Sequence, residues 1–218
     1  MQEGLSLQRG MNFGCGRGYS VILMSVRPGA PYEDEVREFG RILVYEGHDA
    51  SRSFSKDPKS IDQPERSPKG TLTQNGRFKR AADEYKQGAR EPEAVRVYEK
   101  IKDGIWSYNG TFKLLDGWTQ ASNGRSVFKF KLELSAELST NASPSRRLAE
   151  ATNDRLIPTW VKLEVWKRDH GKCVRCGSGD KLHFDHIIPY SKGGSSTTPD
   201  NVQILCERHN LDKRDRIE

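Results

Sequence analysis

CVRCGSGDKLHFDHIIPYSKGGSSTTPDNVQILCERHN, residues 173–210, concentrates metal-ligand chemistry near the C-terminal end of the chain. Two pairs of soft or borderline ligands bracket it: Cys173 with Cys176, and Cys206 with His209. Thiolates and an imidazole in a set of four suit tetrahedral zinc. Four protein ligands leave no open position, so the site reads as structural. Such a metal holds together a segment too short to build a sufficient core of its own. Between the pairs stand Asp185-His186-Ile187-Ile188-Pro189, then Gly193-Gly194 and Asn201, and Asn210 follows His209. Asp185 offers a hard carboxylate oxygen and Asn210 a neutral amide oxygen, donors that suit Mg2+ or Mn2+. His186 follows Asp185 in a run that reads as a strand over 182–188 and so points to the other side of the pleat. A neutral imidazole beside a bound cation is suited to taking a proton from water. Residues 201–205 read as a second strand and 207–216 as a helix, making a ββα unit pinned at both ends by zinc.

Outward from this unit, Thr159 can cap a helix through Trp160, Leu163, Val165 and Trp166 to Asp169, with Gly171 as its stop. Residues 135–145, SAELSTNASPS, are small and polar and read as a linker. The expected division is a first domain over 1–137, a linker over 138–157 and a second domain over 158–218. Before the linker the chain is β-rich. Ser20 to Val26, Ile42 to Tyr45, Val95 to Tyr98, Thr111 to Leu115 and Val127 to Leu134 are short runs of β-branched and aromatic residues. The last alternates apolar with charged residues and predicts one dry and one wet face. Residues 78–87 predict a helix. The polar stretch 49–70 predicts a long loop, of a length that in a compact domain is usually functional or disordered.

Composition narrows the class. The 218 residues carry 36 Lys and Arg against 30 Asp and Glu, a net charge of +6. That excess suits a polyanionic partner. It is shared: residues 144–218 hold 14 basic and 11 acidic side chains, or +3, which leaves +3 for the first 143. No apolar run is long enough to span a membrane, and the first residues lack the layout of an export signal. Three of four cysteines sit in the ligand pairs, which argues for metal in a reducing compartment rather than disulfides; Cys15 is left over.

The ordered set Cys173-x-x-Cys176, Asp185-His186-Ile187-Ile188-Pro189, Gly193-Gly194, Asn201 and Cys206-x-x-His209-Asn210-x-x-Lys213 resembles an HNH, or ββα-metal, endonuclease. The resemblance implies that Asp185 binds a divalent metal, His186 is the general base and Asn201 braces the loop that presents it. The chain departs from the commonest pattern at His209, where a fourth cysteine is usual, and at Asn210, where a histidine is usual. Both substitutes keep a metal-binding atom. Arg175, Lys192, Lys213, Arg214 and Arg216 would contact the DNA backbone. One site of this kind cuts one strand, so a homodimer or two successive nicks are expected.

The first domain carries a second resemblance. Arg17 to Met24, Tyr32-Glu33-Asp34, Tyr45-Glu46-Gly47, Val95-Arg96-Val97, Tyr108-Asn109-Gly110, Trp118 and Val127 to Leu132 occur in the order found in the SRA, or YDG, domain, with Asn109 where that family has Asp. The resemblance implies a twisted barrel that flips modified cytosine out of DNA. Two tyrosines, by position Tyr32 and Tyr45, would hold the base, and an acid would accept from its exocyclic amine. The family's usual spacing points to Glu35 as that acid, and Asp34 is the other candidate. His48 and Asp49 follow at the rim.

The expected fold class is therefore α+β: an SRA-like β-rich domain followed by a small zinc-bound ββα-metal domain. The function expected is a modification-dependent DNA endonuclease that acts on double-stranded DNA carrying 5-methylcytosine or 5-hydroxymethylcytosine. It would use Zn2+ for structure and Mg2+ or Mn2+ for chemistry, in the cytoplasm of a bacterium that restricts foreign DNA. Two other readings are a non-catalytic reader of modified DNA and an HNH nuclease indifferent to modification.

Overall fold

A computed structural model describes residues 10–15, 18–27, 29–52, 55–102, 105–135 and 157–217. The chain divides into two compact units, Met1–Ser135 and Ala136–Glu218. The linker expected over 138–157 lies, except for Ile157, outside the described residues.

In the first unit the β-rich stretches form one seven-stranded sheet. In chain order its strands are β1 (Met11–Asn12), β2 (Ser20–Met24), β3 (Glu35–Arg37), β4 (Ile42–Glu46), β5 (Ala94–Lys102), β6 (Ile105–Ser122) and β7 (Arg125–Leu134). Their order across the sheet is β1-β2-β5-β6-β7-β4-β3. β2 and β5 run parallel and the other pairs antiparallel. β6 spans 18 residues, paired with β5 through its first half and with β7 through its second. Irregularities at Val97/Tyr98 and Leu114/Asp116 bend the ladder, as bulges do. The bending brings the two ends of the strand order together. Gly10, just before β1, packs so closely on residues at the β4 end that a Cβ there would lie 2.9 Å from Tyr45 Oη and 2.8 Å from His48 Nε2. A larger residue there would push aside the ends of both side chains.

Helix α1 (Gln74–Lys86) packs on this sheet. It begins four residues before the expected start at Phe78, because Thr73 caps it: the Thr73 hydroxyl accepts from Gly76 N at 3.2 Å. Asn75 and Gly76 are weak helix formers, so the cap rather than propensity decides the start. Phe78, Ala81 and Ala82 are buried. The Phe78 ring lies 5.3 Å from Phe13 and 5.8 Å from Phe130. Truncating such a fully buried Phe costs about 3–5 kcal/mol, so Phe78→Ala would break the packing of this layer.

The alternation expected in β7 fails at one position. Lys131 is exposed, but Lys129 is buried at 1% exposure, with its ammonium 3.1 Å from Glu46 Oε2 and donating to Glu33 O at 2.7 Å. The face expected to be wet is covered there by charged partners. All five residues of β4 are likewise buried, so this end of the sheet is enclosed on both faces.

The second unit contains α2 (Thr159–Arg168), β8 (Leu182–His186), β9 (Val202–Cys206) and α3 (Glu207–Lys213). Thr159 is not the cap of α2: Pro158 holds that position with extended backbone and Thr159 is the first helical residue. β8 and β9 are antiparallel, Leu182 opposite Cys206 and His186 opposite Val202. β8 ends two residues earlier than expected, and Ile188 turns out to be pinned by a side chain rather than by a strand. α3 stops at Lys213 because Arg214 takes a positive φ of 51°. The core is small: Ile157, Val161, Val165, Val202 and Ile204, flanked by Trp166, Leu182 and Phe184. A core of that size needs a further staple. The fold is α+β, mostly sheet with few helices. Among the described residues no helix is long and apolar enough to cross a membrane.

Candidate functional site

Cys173, Cys176, Cys206 and His209 come together in the second unit, their ligand atoms all within 4.8 Å of one another. Cys173 follows the end of α2, Cys206 ends β9 and His209 lies one turn into α3. Cys173 Sγ and Cys206 Sγ lie 3.3 and 3.4 Å from His209 Nδ1, and Cys176 Sγ lies 3.8 Å from Cys206 Sγ. Tetrahedral zinc with Zn–S of about 2.3 Å and Zn–N of about 2.0 Å has ligand–ligand edges near these separations. The four residues therefore fit zinc. Burial pushes the Cys173 thiol up, but backbone N–H donors around Cys206 and Cys176 and the His209 side chain outweigh it and bring it down to about 6. The thiolate is the form a metal binds.

His186 ends β8, and Asn201 bonds the loop that follows it. Asn201 Oδ1 accepts from Ile188 N at 2.9 Å, and Asn201 Nδ2 donates to Ile188 O at 3.1 Å and to Ser195 O at 3.0 Å. Gly194 has no room for a side chain: a Cβ would lie 1.8 Å from Ile188 O and 2.7 Å from Asn201 Nδ2. The loop folds back so that buried Ser196 shares a 2.9 Å hydrogen bond with His186 Nε2. Ser196 had no signal in the sequence, being one of three serines in a polar loop.

Asp185 projects from the neighbouring position of β8. Its Oδ2 is buried without a hydrogen bond, 3.0 Å from Lys213 Nζ. The carboxylate is a hard donor of the kind a divalent cation takes, and this oxygen already meets the Lys213 ammonium. Asn210 lies on α3, which packs on β8. Asp185 and Asn210 thus have the donor chemistry for a divalent metal. Lys213 differs from the expectation. It is fully buried, and its ammonium donates to His186 O at 2.6 Å as well as pairing with Asp185. It cannot serve DNA as a surface cation. Arg175, Lys192, Arg214 and Arg216 are exposed.

In the first unit Tyr32 and Tyr45 both meet the His48 ring, and Asp34 bonds the backbone of the neighbouring strands. The Tyr32 ring stacks on the His48 imidazole with centroids 5.7 Å apart and planes at 11°. Tyr45, buried in β4, places its Oη 3.2 Å from His48 Nε2. Asp34 accepts from Ser25 N and Glu46 N, each at 3.0 Å. Burial dominates those hydrogen bonds and pushes its carboxyl up to about 7. Glu35 takes a different place: it begins β3, exposed and paired with Arg37 at 2.6 Å. Asp34 precedes β3 and Glu35 opens it, so the two acids have different surroundings.

A buried ionic network that the sequence did not signal supports the cluster. Glu46 accepts from Glu33 N at 3.1 Å, and Arg125 reaches Asp49 Oδ1 at 2.6 Å and Glu46 Oε1 at 3.7 Å. Gln63, from the long loop, donates to Gly47 O at 2.7 Å and accepts from Phe128 N at 2.9 Å. Lys59 from the same loop lies over the Tyr32 ring, 4.2 Å from its centroid. These residues are far apart in sequence, so no motif could have joined them.

Comparison with known proteins gives three results. Curated protein sequences yield no match. Among solved structures the chain is similar to the SUVH5 SRA domain in complex with hemi-methylated CG DNA, at 22% identity and TM-score 0.41 over 62% of this chain and 79% of that one. It is also similar to the SUVH5 SRA domain bound to fully hydroxymethylated CG DNA, at 19% identity and TM-score 0.40 over 62% and 80%. A third is Arabidopsis thaliana SUVH6 with SAM, at 18% and 0.39 over 83% and 27%. Residues 173–216 match the HNH endonuclease family model. The segment that holds the ligand quartet, Asp185, His186 and Asn210 is thus the one similar to HNH endonucleases.

Proposed function

We propose that the protein is a modification-dependent DNA endonuclease. The observation that carries this reading is the pairing of an HNH-like segment with a separate unit in which Tyr32 and Tyr45 flank one aromatic ring, with the acid Asp34 bonded to the adjoining backbone at Glu46. A nuclease needs no such cluster for chemistry, whereas a reader of an extruded base does. Two aromatic rings can stack a base for about 1–3 kcal/mol, offsetting part of the unstacking cost. Asp34, of the two candidate acids, accepts from the cytosine amine. A methyl in an apolar wall adds discrimination of roughly 10–200-fold, so preference over plain cytosine is real but finite. SUVH5 SRA complexes contain methylated and hydroxymethylated DNA, and either modified cytosine fits the chemistry of this cluster.

In the HNH domain, His186 takes the proton of the attacking water. Ser196 holds its ring, and Asn201 with Gly194 holds the loop behind it. Asp185 and Asn210 would bind Mg2+ or Mn2+, which supplies positive charge to the phosphate and the leaving oxygen. Lys213 fixes Asp185 from the protein side and tethers the main chain at His186. Exposed Arg175, Lys192, Arg214 and Arg216 position the phosphate backbone without reading sequence. One such site cuts one strand, so double-strand cleavage uses a homodimer or two successive nicks. The biological setting that suits this chemistry is restriction of modified DNA in a bacterial cytoplasm.

The test is digestion of one DNA prepared with cytosine, 5-methylcytosine, 5-hydroxymethylcytosine or N6-methyladenine. Faster cutting of the two modified-cytosine forms is expected. Equal rates on all four would remove the reader role.

A further inference from the structure

The position between Tyr32 and Tyr45 already has an occupant. The His48 imidazole lies nearly parallel to the Tyr32 ring, at 11° and 5.7 Å between centroids, and shares a 3.2 Å hydrogen bond with Tyr45 Oη. Its main chain is held in place: His48 N donates to Asn75 Oδ1 and Asn75 Nδ2 donates to His48 O, both at 2.8 Å. Asn75 is itself buried at the start of α1, so the backbone of His48 cannot retreat without disturbing the helix. Gly10 fills another side, and Lys59 lies over the Tyr32 ring. The freedom left to His48 is rotation of its side chain.

We propose that His48 is a specificity-determining residue of the base pocket. Its imidazole takes the stacking and hydrogen-bonding places that an extruded base must use, so a base enters only by displacing it. The inference rests on the base-pocket reading of Tyr32, Tyr45 and Asp34. The displacement burdens every base equally. A modified cytosine, with its additional buried group, can bear that burden. An unmodified cytosine then falls back on sequence-independent contacts with the phosphate backbone. His48 thus widens the observed difference between the two DNAs without touching the methyl group.

The experiment uses the full chain carrying His186→Ala, so that DNA stays intact. Binding of labelled duplexes with a single cytosine or 5-methylcytosine is read by fluorescence anisotropy, and extrusion by a 2-aminopurine beside the target base. With His48→Ala the modified duplex should bind about ten-fold tighter, the size of one aromatic contact plus one hydrogen bond, and the unmodified duplex should begin to show 2-aminopurine brightening. His48→Phe can keep the stack but not the hydrogen bond, and should tighten binding less. His48→Ser carries the same expectation as His48→Ala if that variant fails to fold. Binding of the modified duplex that is weakened or unchanged in His48→Ala overturns the assignment. A parallel Tyr32→Ala variant separates the two ideas. Retained preference for 5-methylcytosine in Tyr32→Ala would remove the pocket itself, whereas lost preference there with weakened binding in His48→Ala removes only the role given to His48.

Discussion

Lys213 places its ammonium 3.0 Å from Asp185 Oδ2 although only 1% of its side chain meets solvent. The same ammonium donates to His186 O at 2.6 Å. A lysine at the end of a short helix thus holds two neighbouring residues of the candidate active site, rather than facing DNA.

Removing that ammonium while keeping its stem leaves a buried carboxylate without its cation. Lys213→Met should destabilise the HNH unit by about 3 kcal/mol, read as a lower melting temperature or denaturant midpoint. It should leave the salt dependence of DNA binding unaltered, because a buried lysine displaces no counterions. A fall of about one in the log Kd against log salt slope would show that Lys213 reaches phosphate after all.

His186→Ala should lower single-turnover cleavage by about 10²–10⁴-fold, the usual worth of general base catalysis, with little change in DNA affinity. Ser196→Ala removes only the hydrogen bond that holds the ring and should cost about ten-fold at most. Equal losses in the two variants would mean that Ser196 supports the loop rather than the imidazole.

The quartet of Cys173, Cys176, Cys206 and His209 should bind one zinc per chain, measurable by elemental analysis of the purified protein. Stripping it with a chelator should unfold the second unit and leave the first intact, since Ile157, Val161, Val165, Val202 and Ile204 form too small a core to stand alone. Circular dichroism on the full chain, with the Trp160 and Trp166 fluorescence as a local reporter, checks this.

Asp34 predicts a pH dependence of stability. Burial raises its carboxyl to about 7, so the folded state favours the neutral acid. The stability this contributes is fully present below about pH 4, the unfolded value, and is lost as pH rises through about 7. The loss is on the order of a few kcal/mol, and Asp34→Asn should flatten the profile over that window. A stability curve for Asp34→Asn that parallels the unaltered protein from pH 4 to 8 would contradict it.

Much of the candidate active site was legible because its residues lie in one short stretch. Two ligand pairs, a D-H dipeptide, a Gly-Gly and Asn201 carry their chemistry in their spacing, and local strand and helix geometry brings them together. Five of the seven strands described in the first unit were legible for a similar reason, since β-branched and aromatic runs announce themselves, whereas the short β1 and β3 and most of the length of β6 were not. Helix α1 was read late because its start depends on the Thr73 cap, which a hydrophobic period does not register. The choice between Asp34 and Glu35 was open because spacing alone cannot tell which of two adjacent acids a strand turns inward.

The sequence by itself pointed to the class of the second unit, to a Cys/His quartet suited to zinc and to His186 as its candidate general base. It also determined that a β-rich unit precedes them. Tertiary structure alone decided that Lys213 and Lys129 are buried, that Ser196 meets His186, and that Glu46, Arg125, Asp49 and Gln63 form one network. It alone set His48 between Tyr32 and Tyr45, held by Asn75 from a helix 27 positions later. The reason is physical. Ligand chemistry and strand propensity are local properties of the chain, whereas burial of a charge and the filling of a pocket depend on which distant segments the bent sheet brings into contact.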